Sequence, residues 1–405
     1  MFVLKNCRLI PQLTEGYEKT MGDVLICGDR IREIAEQGHD FNEEVTEVYD
    51  LAGKTLMPGL YDLHTHVAAT GLGDMVDGGR DEYRTTLDVI QNVQASLKAG
   101  FTTLRDSGAE PFVCACVRDA IDEGRIVGPN LTICGRLMSP TELSNHANEY
   151  SRKTIHEVDT LDTIRKGVRD EIRDGADYVK YVASGATSLK GSNPFIPIAH
   201  YRELECLVKE AAFKGRYVAA HVHGAESIKQ CIRAGVKTLE HCSELDDECI
   251  ALLQAKTSYA ILTINVAGSL LEGAELPGFT KHLESEAAAR VHRNGVRGIK
   301  KAHDAGLVFG FGTDTGMINL FHGKNAKGLV YYVKYGGLAP VEALRHATID
   351  SAEIMNEKEI RGTVKKGKIA DLIVIDGDPT IDIERITDSV AMVIKSGKIV
   401  SNQFV

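Results

Sequence analysis

The sequence lacks any long basic run of the kind that a nucleic-acid backbone or an anionic membrane attracts, and 57 acidic against 47 basic residues leave a net charge of −10. No nucleic acid and no membrane is therefore expected as a partner. Also lacking is an apolar run of spanning length, or an N-terminal basic segment followed by an apolar stretch and a small-residue cleavage site. The chain reads as cytoplasmic. Its nine cysteines have no paired zinc-ribbon spacing, and an odd number fits a reducing compartment better than a disulfide framework. Cys114 and Cys116, in the helix-like "FVCACVRDAIDEG", are expected to pack as buried thiols. No sequence repeat, proline-rich linker or low-complexity tract interrupts the chain.

What is present is the composition of a folded enzyme, with 43% hydrophobic and 26% charged residues. A length of 405 residues exceeds that of a usual single domain, so a large domain with a smaller companion is expected. Both ends read as β structure. "FVLKNCRLI", "GDVLICGDRIREIAE" and "TEVYDLAGKTLMPG" at the start, and "IADLIVIDG" and "VAMVIKSGKIVSN" at the finish, are short apolar runs punctuated by Gly, Asp and Asn. Between them, short apolar runs alternate with longer segments of helical period, the pattern of repeated βα units. Eight strands are expected there, beginning at Leu60, Phe101, Leu131, Asp177, Tyr217, Thr238, Tyr259 and Val308. Eight is the number that closes a (β/α)8 TIM barrel. The expected division is a catalytic barrel over 59–356 and a small composite β-sandwich formed by 1–58 and 357–405.

In "DLHTH", His64 and His66 are two residues apart and project from one face of an extended strand. A lone pair of this kind is weak evidence. This one falls at the C-terminal end of the first barrel strand, where active sites of this fold are assembled. The same ends of later strands supply Lys180, His221, His241 and Asp314. Five strands thus aim nitrogen or oxygen donors at one rim, and imidazole with carboxylate suits zinc ahead of manganese, iron or cobalt. An ammonium at Lys180, near a metal and among apolar neighbours, must lose its charge or pair. A neutral amine can add carbon dioxide to form a carbamate able to bridge two metals; the alternative is pairing with Asp177 or with a substrate carboxylate.

At these residues the sequence resembles the amidohydrolase superfamily over essentially its whole length. "GDRIREIAE…DLAGKTLMPGLYDLHTH" and "GTVKKGKIADLIVIDGDP…VAMVIKSGKIV" resemble its composite sandwich. "GFTTLRDSG", "GADYVKYVASGA", "YVAAHVHGAESIKQCIRAGVKTLEHCSELDDE" and "GFGTDTG" are similar to the branch of Xaa-Pro dipeptidases and zinc carboxypeptidases that release a C-terminal amino acid. That resemblance implies two zinc ions: His64, His66 and Asp314 on the more buried metal, His221 and His241 on the more exposed one, and carboxylated Lys180 between them. Two segments depart from the branch. "SPTELSNHANEY" replaces a glycine-glycine-histidine-acid segment, with His146 at the histidine position, and "GATSLKGSNPFIPIAHY" replaces a glycine-rich stretch.

The implied chemistry is hydrolysis of a small-molecule amide or dipeptide by a hydroxide held between the metals. Asp314 would accept the proton of the attacking water and pass it to the leaving nitrogen. His146 would stabilise the oxyanion, and His223, two residues after His221, would meet either the terminal carboxylate or a hydrogen-bond partner behind the ligands. Tyr181 is a further candidate for substrate contact. The Arg105-Asp106 step is expected to be a structural salt bridge rather than a substrate clamp. Rival readings are a mononuclear enzyme acting on a cyclic amide or an exocyclic amine, in the manner of an imidazolonepropionase or deaminase, and a catalytically silent ligand-binding barrel. A homo-oligomer is compatible with the fold, although no patch in the sequence marks an interface.

Overall fold

The computed structural model describes residues 1–41, 44–72, 81–141, 153–186, 192–255, 257–272, 286–317 and 319–403. Strands from the two ends of the chain share one sheet. Leu372–Ile375 lies antiparallel to Thr55–Pro58, with Val390–Lys395 and Lys398–Asn402 outside it, while Phe2–Leu9, Met21–Cys27 and Arg30–Ala35 continue the other way and Glu47–Asp50 pairs with Phe2–Leu9. Alternation along these strands sorts their side chains between two cores. Leu372, Val374 and Ile394 join Leu4, Val24, Ile31 and Leu56 in a core belonging to the sandwich alone. Ile373, Ile375 and Val393, one residue out of step, pack into the core of the neighbouring barrel. The expected composite β-sandwich and TIM barrel are therefore both present, joined by a shared apolar layer.

All eight expected barrel strands form: Leu60–Thr65, Phe101–Asp106, Asn130–Thr132, Val179–Val182, Val218–Val222, Thr238–His241, Tyr259–Thr263 and Phe309–Gly312. Each runs parallel to its successor, with one interruption in the wall. After Asn130–Thr132 the chain kinks at Gly135 (φ 72°), so the short strand Leu137–Ser139 takes over the contact with Val179–Val182, assisted by a bond from Asp177 N to Ile133 O of 2.8 Å. The last strand closes on the first through Asp314 N to His64 O (2.8 Å) and His66 N to Thr315 O (2.7 Å). Gly312 allows that seam, because a Cβ there would come within 2.8 Å of His64 Cβ.

The outer helices begin and end as their sequences suggest. Leu161–Arg173 starts in a Thr160–Thr163 capping box, and Ala225–Ala234 stops at Gly235 in a left-handed conformation. The helix Pro111–Asp122 buries Cys114 but leaves Cys116 exposed, a correction to the expectation that both thiols are buried. No helix among the described residues is long and apolar enough to cross a membrane.

Candidate active site

His64 and His66 share the inner face of the first strand, as the two-residue spacing requires, and both are buried. Asp314 Oδ1 stands 3.2 Å from His64 Nε2 and 3.3 Å from His66 Nε2. The far side of each ring explains what those nitrogens can do. His64 Nδ1 lies 2.8 Å from Glu240 Oε2 and His66 Nδ1 lies 3.3 Å from Gly108 O. A carbonyl only accepts, and so does a carboxylate held ionised by an arginine, so each Nδ1 carries a proton. Against burial, the Asp314 carboxylate facing Nε2 raises the pKa of His66, and a cation between these groups would instead meet a lone pair on each Nε2. Two lone pairs and a carboxylate oxygen, all within 4.8 Å of one another, form a donor set that calls for a cation between them.

The second group of histidines adjoins the first. The His241 ring is 4.7 Å from that of His64 and 4.6 Å from that of His221, which in turn lies 4.7 Å from His223. His241 Nδ1 is 2.8 Å from Thr263 Oγ1, which leaves its Nε2 facing the site, whereas His221 Nε2 reaches toward Gly185 O at 3.4 Å and leaves Nδ1 free. Burial is the main reason that His221, His223 and His241 are all held below the ordinary imidazole range, His223 at about 3. They are therefore neutral, the form in which imidazole binds metals. His223 Nδ1 lies 2.9 Å from Ser243 Oγ, so one of its nitrogens meets the hydrogen-bond partner that the sequence allowed.

Lys180 is buried on the inner face of the fourth strand, and burial lowers its pKa, with Arg105 acting in the same sense and Glu240 opposing. Asp177 is not its partner. That carboxylate accepts from Arg118 Nη1 at 2.9 Å and from Ile133 N at 3.0 Å. Tyr181 is not brought to the site. Strand alternation turns it away from Lys180 and into the apolar layer with Ile164, Leu204 and Ile228, where its hydroxyl has no hydrogen-bond partner. His146 lies outside the described residues.

Sequence reasoning missed the support beneath these groups. Arg105 is completely buried and pairs not with Asp106 but with Glu240, at 2.7 and 2.8 Å, while also donating to Leu63 O and Thr238 Oγ1. Asp106 instead accepts from Val67 N and Gly108 N. Below Arg105 lies the Tyr178 ring, stacked on Tyr217. Asp62 is a second omission. It is pushed up to about 6 by burial, against hydrogen bonds from Asn325, Thr313 and the His64 backbone.

A barrel rim with this donor set, flanked by a sandwich from both chain ends, agrees with the sequence comparison: a model described as "Amidohydrolase family" matches residues 55–400. The chain belongs to the amidohydrolase family. It is a metal-dependent amide hydrolase. Among its relatives, ochratoxinase of Aspergillus niger is 29% identical over 383 residues, covering 85% of this chain and 75% of that protein. The imidazolonepropionase of Thermoplasma volcanium is 23% identical over 353 residues, covering 82% and 80%. Among solved structures, a Xaa-Pro dipeptidase with methionine bound in its active site superposes with a TM-score of 0.88 at 26% identity, covering 99% of this amidohydrolase and 100% of the dipeptidase.

Proposed function

We propose that this amidohydrolase releases a C-terminal amino acid from a dipeptide or N-acyl amino acid, using two divalent metal ions, most suitably zinc. The observation that carries this reading is the orientation of the histidines: two neighbouring groups of imidazoles turn ring nitrogens toward a rim shared with Lys180 and Asp314. The likeness to a dipeptidase that holds an amino acid in its active site supports the substrate class.

His64, His66 and Asp314 would hold one ion, His221 and His241 the other, and Lys180, as a carbamate, would join both. Bound there, the ions would supply Lewis acidity for the carbonyl and lower the pKa of a water. The remaining work falls to the chain. Asp314, with one oxygen between the two Nε2 atoms, would use its other to take the proton of the attacking water and return it to the leaving nitrogen. Glu240 keeps His64 in the ligand tautomer, and His223 would bind the terminal carboxylate through the nitrogen that Ser243 leaves open.

A panel of dipeptides and N-acyl amino acids on zinc-reconstituted protein, read by release of free amine, should contain a substrate. Failure across the panel, with turnover of a ring amide or an exocyclic amine, would replace this reading with the imidazolonepropionase-like one. Metal stoichiometry offers a second check. Lys180→Arg cannot form a carbamate, and its metal content, measured by elemental analysis, should fall from about two ions per chain to about one or fewer. Two ions retained in the variant would remove the bridge from the account.

A further inference from the structure

The helix Glu286–Asp304 joins the seventh and eighth barrel strands and plays no part in the reading above. It packs on the turn that follows the sixth strand. A Cβ added at Gly295 would lie 3.9 Å from Ser243 Oγ, and one at Gly298 would lie 3.9 Å from Cys242 O. Arg290 and Asn294 both bind the Glu244 carboxylate, and Glu244 N donates to His223 O at 2.9 Å. With Ser243 Oγ on the His223 ring, this turn links the helix to His223.

His292 lies three positions before Gly295, on the same side of the helix. Its Nε2 is buried without a hydrogen-bond partner. The ring is close enough to His223 to disfavour a charge on it, and burial holds His292 itself at about 4, so it is neutral. The nearby guanidinium cannot serve it, since Arg290 is occupied by Glu244 and by the face of the Phe195 ring at 4.1 Å. Buried polar atoms are rarely left without a partner, and an orphan beside an active site points to an acceptor or donor that arrives with the ligand.

We propose that His292 is a substrate-binding residue, which with His223 forms a two-imidazole clamp on the terminal carboxylate of the amino acid to be released. The identity of the carboxylate rests on the dipeptidase-like reading; the contact itself rests on the orphaned nitrogen. The helix between the seventh and eighth strands would then take part in substrate choice, with His292 donating its Nε2 proton to one carboxylate oxygen.

The test compares His292→Phe and His292→Gln on the best N-acyl amino acid from the panel and on the same compound with its carboxylate converted to a primary amide. Phenylalanine fills the space without a donor and should raise KM for the acid about ten- to a hundredfold, the value of a hydrogen bond to a charged group, with kcat changed less than about threefold. Glutamine, which keeps an N–H, should restore most of the loss, and KM for the amide should move little in either variant. An unchanged KM for the acid, or an equal rise for acid and amide, would overturn the clamp. If wild-type protein hydrolyses only ring amides, the dipeptidase-like reading fails separately. His292→Phe would then be assayed on the ring substrate, where an unchanged KM would also dismiss the contact and a raised KM reversed by glutamine would retain it.

Discussion

Replacing Asp314 by asparagine is expected to lower kcat by about 10²- to 10⁴-fold, the usual contribution of a positioned general acid–base group. The amide keeps the shape of the carboxylate and one oxygen between His64 Nε2 and His66 Nε2, at the present 3.2 and 3.3 Å, but it cannot carry a proton from water to the leaving nitrogen. Metal content measured on the same sample separates the two duties proposed for this residue. Low kcat with metal retained assigns the proton transfer to Asp314. Activity restored merely by adding excess zinc would reduce the residue to a ligand, and a kcat within about tenfold of wild type would remove it from the chemistry.

The second large effect is on stability. Arg105→Met should destabilise the fold by about 3–5 kcal/mol, because it strands the Glu240 carboxylate in a site with no access to water. Burial alone would raise the pKa of Glu240, yet Arg105 above all, with the His64 hydrogen bond, holds it well below the ordinary carboxylate range, so Glu240 is an anion that needs its cation. The measurement is the urea midpoint, with an unchanged denaturant slope showing that the native and unfolded states are otherwise comparable. The double variant Arg105→Met, Glu240→Met should recover part of the lost stability, since no charge is then left unpaired. It should still bind metal about 10- to 100-fold more weakly, because nothing fixes the tautomer of His64. A double variant no more stable than the single one would mean that packing, not the stranded charge, sets the cost.

Much of this architecture can be read from the chain because each strand is a short apolar run with a turn residue at its end, and because His64 and His66 obey the two-residue repeat of an extended strand. That same repeat places Tyr181 outside the barrel, opposite Lys180, so adjacency in sequence was the wrong guide to it. Glu240 and His241 mark the limit of the rule. They are consecutive, yet both face the centre, since His241 adopts a left-handed backbone (φ 69°) that turns its side chain inward. Asp314 does the same with φ 64°. Such a conformation costs a non-glycine residue of order 1–3 kcal/mol, and no local sequence pattern announces it. Arg105 could not be assigned from its neighbours either, because its true partner is 135 positions away.

The seam of the barrel gives the site a place in time. His64 is made before Thr313, which bonds Asp62 from 251 positions further along and must follow before the first strand has its closing neighbour, and Thr55–Pro58 waits longer still for Leu372–Ile375. A nascent chain would therefore carry scattered histidines rather than a hydrolytic centre until those strands are made. Its competence would come late and all at once, when the far strands dock.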